Sequence, residues 1–260
     1  MGLFEKKYCD FCGSKIGLLG NRKLEDGNMC KQCASKLSPW FSERRHSTKA
    51  DIRGQLEYRE ENSRKAAMFH TTRSIGRHTK LLLDEDAHRF TVTSASSVAD
   101  ANPDILDYSQ ITGCDLDIEE SRTELKRKGP DGKMISYAPP KYEYSYNFFV
   151  TIQVNNPYFD DMRYSLSNGY IKTGEKPVNA ASGAWQVKPN YINANQRLND
   201  YYEYLKMGSE IKRTVDRMRA EGRKEASSSP APNKPVKCPN CGAIVVPDSR
   251  GCCEYCGGII

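Results

Sequence analysis

A chain of 260 residues with 38% hydrophobic side chains and a mean hydropathy of −0.72 can bury one modest core with small satellites, but not a single core along its whole length. No run approaches about 18 apolar residues, and "MGLFEKKYCD" has no apolar leader, so the sequence excludes a spanning helix and predicts a reducing, cytoplasmic setting. The formal charge of +6 is unevenly spread: residues 81–170 are net acidic and the stretches flanking them net basic.

Nine of the ten cysteines lie in two clusters near the ends, with only Cys114 between them. In a reducing compartment such clustering points to metal rather than to disulfides. The first cluster is C-x2-C-x17-C-x2-C, formed by Cys9, Cys12, Cys30 and Cys33. Each C-x-x-C brings two sulfurs onto one ion from a single tight knuckle, and two knuckles give the four-thiolate tetrahedron that zinc prefers. Between them, Asp26-Gly27 marks a hairpin turn. After them, "CKQCASKLSPWF" starts as a helix that must stop before Pro39. Residues 1–46 are therefore expected to form a treble-clef-like four-cysteine finger.

Residues 47–72 are expected to hold a charged, solvated connecting helix, with apolar positions only at Ile52, Leu56, Ala66 and Ala67. Residues 73–220 read as a β-rich domain closed by a long C-terminal helix. "KLLLDEDAHRFTVT" predicts two strands about an acidic turn, with Phe90 and Val92 on one face. Around Cys114, apolar and acidic residues alternate, which makes that thiol a small core residue. The clearest alternation is "YEYSYNFFVTIQV": Tyr142, Tyr144, Tyr146, Phe148, Val150, Ile152 and Val154 share a face, predicting a long half-buried strand. An aromatic stripe can stack RNA bases, but this one lacks the basic and glycine positions of an RNA-recognition motif and lies in acidic surroundings, so core packing is the expected role. Leu198, Tyr202, Leu205, Ile211, Val215 and Met218 mark the closing helix, with Gly208 expected to loosen it.

Residues 221–236, ending "ASSSPAPNKPV", read as a flexible Ser/Pro linker. Residues 237–260 read as a zinc ribbon. There Cys238 and Cys241 form one C-x-x-C. At the far end only Cys253 and Cys256 keep that spacing, which leaves Cys252 spare. Gly242 and Gly257 each follow a knuckle's second cysteine, where a backbone free to adopt positive φ can turn amides toward sulfur.

The fold class expected is α+β: a small β-rich domain with a C-terminal helix, flanked by two small zinc modules. The order of elements in the domain resembles pleckstrin-homology-like domains. The stretch "CDFCGSKIGLLGNRKLEDGNMCKQCASKLSPWF" resembles the N-terminal finger of uncharacterised proteins from Gram-positive bacteria, in a domain-of-unknown-function family. That resemblance implies a bacterial source and a zinc site, and no reaction.

Four thiolates fill the shell of a zinc ion, whereas catalytic zinc keeps a position open. Both Zn2+ sites are therefore expected to be structural. No nucleophile elbow, no P-loop and no His-Glu-x-x-His occurs, and the four histidines show no ligand spacing. "TGEKP" at 173–177 matches a linker between Cys2His2 fingers, but no such finger flanks it. The expected function is a non-enzymatic adaptor that binds protein partners through its zinc modules, with no small-molecule substrate inferred. Two alternatives stand beside it. One is nucleic-acid binding through Lys6, Lys7, Lys15, Arg22, Lys23, Arg44, Arg45 and the basic helix after them, although two closed shells would lower the net charge from +6 to about +2. The other is a membrane-surface module built on the β-rich domain, against which the acidic middle argues.

Overall fold

The computed structural model describes residues 7–173, 176–177, 196–228, 236–245, 252–253 and 255–258. The protein is α+β, with every paired strand antiparallel. Strands β1 (Lys7–Tyr8) and β2 (Lys15–Ile16) pair, as do β3 (Asn21–Lys23) and β4 (Asn28–Cys30); helix α1 (Lys31–Ala34) follows directly. These short pieces enclose Ile16, Leu24, Met29 and Leu37.

Helix α2 (Lys49–Met68) begins with a capping box. The Thr48 hydroxyl accepts from the Asp51 N–H, and the Asp51 carboxylate accepts from the Thr48 N–H, so two of the amides that a helix start leaves open are satisfied. Asp26, from the hairpin turn, accepts from the Lys49 N–H at 2.7 Å. The helix is not the solvated spacer that the sequence predicts. Ile52, Gln55, Arg59, Asn62 and Ala66 form a buried stripe along it. Ile52 and Leu56 complete the core of the first module. Arg59 and Asn62 go into a polar joint with residues 102–105. Most of this stripe is polar, so a search for apolar periodicity passes over it.

At the joint, Asp104 is fully buried and ion-paired with Arg59 at 2.8 Å. Its other oxygen accepts from the Ser38 hydroxyl at 2.8 Å. Arg59 also donates to the carbonyls of Lys36 and Asn102. Asn62 donates to the Pro103 carbonyl at 2.7 Å and accepts from the Ile105 N–H at 2.8 Å. Beside this network, Phe41 meets Tyr158 edge-on, with centroids 6.3 Å apart.

Strands β5 (Arg73–Gly76), β6 (Lys80–Asp84), β7 (Arg89–Thr93) and β8 (Leu106–Asp107) form one sheet in that order, with helix α3 (Val98–Ala101) between the last two. A 3-10 turn, Tyr108–Gln110, leads into β9 (Ile111–Lys128). The second sheet is built on β10 (Met134–Asn156). It pairs β9 along one edge, and β11 (Phe159–Ser165) then β12 (Ile171–Thr173) along the other. The predicted alternation in β10 is present, but burial starts only at Tyr146; Tyr142 and Tyr144 are half-buried. The cause is register. β12 pairs only Tyr144–Tyr146, and from there to the turn β9 and β10 run on as a two-stranded ribbon. Cys114 is buried and its thiol is pushed up to about 12 by desolvation, as befits a core residue.

Helix α4 (Gln196–Ser228) closes the core. Ile211, Val215 and Met218 are buried as expected. Tyr201, which the helical spacing passed over, is the main aromatic plug, with its ring 4.7 Å from Tyr146 and 5.2 Å from Phe148. Gly208 does not loosen the helix. A Cβ there would lie 2.6 Å from a Leu116 methyl, so the missing side chain lets α4 and β9 approach. The helix also continues through residues 221–228, which the sequence assigns to the linker. Gly222 is buried there, and a Cβ would lie 2.5 Å from the backbone of Tyr108 and of Ser109. The rest of the expected linker up to 235, and most of the Gly/Asn-rich stretch after β12, lie outside the described residues. The last module pairs β13 (Val236–Lys237) with β14 (Ile244–Val245). Among the described residues no helix is long and apolar enough to cross a membrane.

Two substitutions test these contacts. Asp104→Ala leaves Arg59 buried without its counter-charge and should cost about 3–5 kcal/mol in urea unfolding. Gly222→Ala should cost about 1–3 kcal/mol or more, because the atoms it meets are backbone and cannot rotate away.

Candidate metal centres

The first centre is built from one turn and one helix start. Cys9 and Cys12 lie on a knuckle closed by two backbone bonds, Gly13 N–H to the Cys9 carbonyl and Cys9 N–H to the Ser14 carbonyl, both 2.9 Å. Gly13 has φ of 69°, a conformation that glycine adopts at no steric cost. The other two ligands straddle the start of α1. Cys30 is its N-cap, and the Cys30 sulfur accepts from the Cys33 N–H at 3.3 Å. The Cys30 N–H in turn donates to the Cys9 sulfur at 3.3 Å.

The second centre uses the turn knuckle twice. Gly242 N–H bonds the Cys238 carbonyl, and Cys238 N–H the Ala243 carbonyl. Gly257 N–H bonds the Cys253 carbonyl, and Cys253 N–H the Gly258 carbonyl. Gly242 and Gly257 have φ of 74° and 68°, in keeping with their place after each knuckle. Gly13 fills the same place in "CDFCG", so the same sequence signal could have found it.

In each centre the four sulfurs lie within 4.8 Å of one another. The closest cross-knuckle separations are Cys12–Cys30 at 3.7 Å, Cys238–Cys256 at 3.6 Å and Cys241–Cys253 at 3.7 Å. These are far too long for disulfides, and none of the eight cysteines of the two centres is disulfide-bonded. They match the edge, about 3.8 Å, of a tetrahedron with zinc–sulfur bonds of about 2.3 Å. The electrostatics also fit. Hydrogen bonds from Ser14, side chain first and backbone second, pull the Cys12 thiol down to about 6. The Cys241 backbone amide does most to pull Cys238 down to about 6. Cys33 is pushed up, first by burial and then by the sulfurs around it. Some thiols in each set are thus held ready to ionise while a crowded neighbour resists, and a divalent cation removes that conflict.

The eight residues predicted from spacing — Cys9, Cys12, Cys30, Cys33, Cys238, Cys241, Cys253 and Cys256 — are those the fold brings together. The two groups form structural Zn2+ sites. Cys252, one residue away, lies outside the second group. The basic residues of the nucleic-acid alternative are not collected on one element: Lys7 and Lys15 sit on β1 and β2, Arg22 and Lys23 on β3, and Arg44 and Arg45 in a 3-10 turn at Glu43–His46. Lys6 lies outside the described residues.

A family described as a domain of unknown function (DUF4428) matches residues 7–55, from β1 into α2. That span contains the first four-cysteine centre and ends inside the helix that completes its core. No curated protein and no solved structure matches the chain.

The assignment of the spare cysteine is directly testable. Elemental analysis of purified protein should find two zinc ions per chain, and still two in Cys252→Ser. Cys253→Ser should retain only one after washing with a mild chelator.

Proposed function

We propose that this protein is a non-enzymatic adaptor of the bacterial cytoplasm, in which two structural zinc modules present surfaces to protein partners. The observation that carries this reading is the composition of the shells. Four cysteine sulfurs complete the coordination of each zinc, so neither metal has a position left for water or substrate. Zinc in such a shell acts by folding the chain around it, contributing on the order of 10–16 kcal/mol of apparent binding in small modules. The first module supports a surface role further: the Asp104 joint fixes it to the β-rich body, so what it presents has a defined setting. The nucleic-acid alternative draws less support, because a long polyanion running along the chain would also meet the acidic body and the two anionic shells.

Cobalt substitution and affinity capture together test the reading. The cobalt-loaded protein should show a tetrahedral four-thiolate spectrum that added azide leaves unchanged. Zinc-loaded full-length protein should capture a defined partner that can be rebuilt from purified components at fixed stoichiometry. The same chain carrying Cys238→Ser and Cys253→Ser should lose any partner held by the second module. An azide-sensitive spectrum would point to an open metal and reverse the assignment.

A further inference from the structure

The most exposed large apolar side chains among the described residues are adjacent. Leu18 is 80% and Leu19 89% exposed. They are the central residues of a β-turn closed by the Gly20 N–H on the Gly17 carbonyl at 3.0 Å, and this turn joins β2 to β3 of the first zinc module. Ile16 and Leu24, on either side, are buried in that module's core. The leucines therefore stand at the apex of a turn whose base is pinned. They contribute nothing to the core beneath them.

The strands that flank the turn, and the 3-10 turn bonded to β3, carry four cations that make up a basic collar on the module. Lys15 and Lys23 are exposed, and Arg22 and Arg44 are half-buried. Arg22 reaches back to the Leu19 carbonyl, and Arg44 donates to the Lys23 carbonyl at 2.7 Å. Desolvation, then the charges of Arg22 and Arg45, hold the Arg44 guanidinium below its ordinary value, so these groups crowd one another. The ion pairs among the described residues all lie elsewhere. Two nearby carboxylates are engaged by backbone amides, Asp10 by Asn28 and Asp26 by Lys49. Glu25 and Glu43 are exposed, but neither pairs with the collar.

We propose that this turn is a membrane-insertion loop: Leu18 and Leu19 enter the interfacial region of an anionic bilayer, and Lys15, Arg22, Lys23 and Arg44 engage the headgroup phosphates. Apolar anchors flanked by Lys and Arg combine the two forces that hold a protein at a bilayer surface, burial of hydrocarbon and attraction to anionic lipid. A nucleic acid would use the collar and leave the leucines in water. A protein groove would need the leucines, but would gain little from an unpaired collar spread around them. This surface is separate from the β-rich domain, and the inference does not depend on the adaptor reading.

The test is co-sedimentation of the zinc-loaded full chain with vesicles of phosphatidylcholine containing 30% phosphatidylglycerol, and with phosphatidylcholine alone. Three proteins are compared: the native chain, Leu18→Ser/Leu19→Ser, and Arg22→Gln/Lys23→Gln. Zinc content and thermal midpoint confirm that each is folded, which the exposure of both leucines favours. The native chain should bind the anionic vesicles at least about tenfold better than the neutral ones. The leucine variant should lose about tenfold or more of that affinity, in line with two withdrawn apolar side chains. The charge variant should lose affinity too, and its residual binding should depend less on salt. Failure to sediment, equal binding to both vesicles, or an unchanged leucine variant would each overturn the proposal. So would tighter binding to a DNA or RNA duplex that leucine replacement leaves intact, which would assign the collar to nucleic acid.

Discussion

Asp104 has lost all contact with water, and a carboxylate in that position must be met by charge and hydrogen bonds or it destabilises the fold. The fold meets it from two directions. Arg59 comes from α2, Ser38 from the end of the first zinc module, and the carboxylate itself comes from the segment entering β8. Arg59 also donates to carbonyls on both sides, at Lys36 and Asn102. The demand of one buried charge thus fixes where the helix lies, where the zinc module docks and how the body is entered. The apolar contacts beside it, Phe41 on Tyr158 and Tyr58 on the same ring, gain their register from that pairing.

The thiolates pose a related problem with a different answer. Four sulfurs brought within a few ångströms cannot all carry charge unless a cation sits among them. Hydrogen bonds lower the cost for some, from the Ser14 side chain and then its amide at Cys12 and from the Cys241 amide at Cys238, and burial raises it for Cys33. Zinc removes the conflict and in doing so uses up its own coordination. A chain with two such centres has invested its metal in shape, and shape is what a turn such as Gly17–Gly20 requires if it is to hold apolar side chains clear of the protein. The first module can keep Leu18 and Leu19 out of its core because Cys9 and Cys33 lie within it, beside Ile16 and Leu24.

The β-rich body follows the same division between local and distant causes. The alternation from Tyr142 to Val154 is legible, and that stretch forms strand as read, but β10 begins earlier, at Met134, where no alternation announces it. How much of it is buried depends on where β11 and β12 pair, and that depends on residues far along the chain. Leu116 and Gly208 fit together because one strand presents a branched side chain where the helix has none. Neither residue announces the other. Gly208 alone reads as a weakness in a helix, and Gly222 alone as part of a linker, until the backbone they touch is in view.

The sequence by itself determined the metal ligands, the knuckle geometry and the alternating strands, since each depends on spacings of a few residues that covalent geometry turns into position. The one missed knuckle residue, Gly13, carried the same signal as Gly242 and Gly257. Only the tertiary structure decided that α2 is buried, that Tyr201 plugs the core, that α4 runs on to Ser228 and that the aromatic stripe emerges into solvent at Tyr144. In α2 the buried residues are Gln55, Arg59 and Asn62 alongside Ile52 and Ala66, and polar residues read as solvated until their partners are known. The partners of Arg59 and Asn62 around residues 102–105 lie some forty positions away in sequence, and no local pattern encodes a contact between side chains that the folded chain alone brings together.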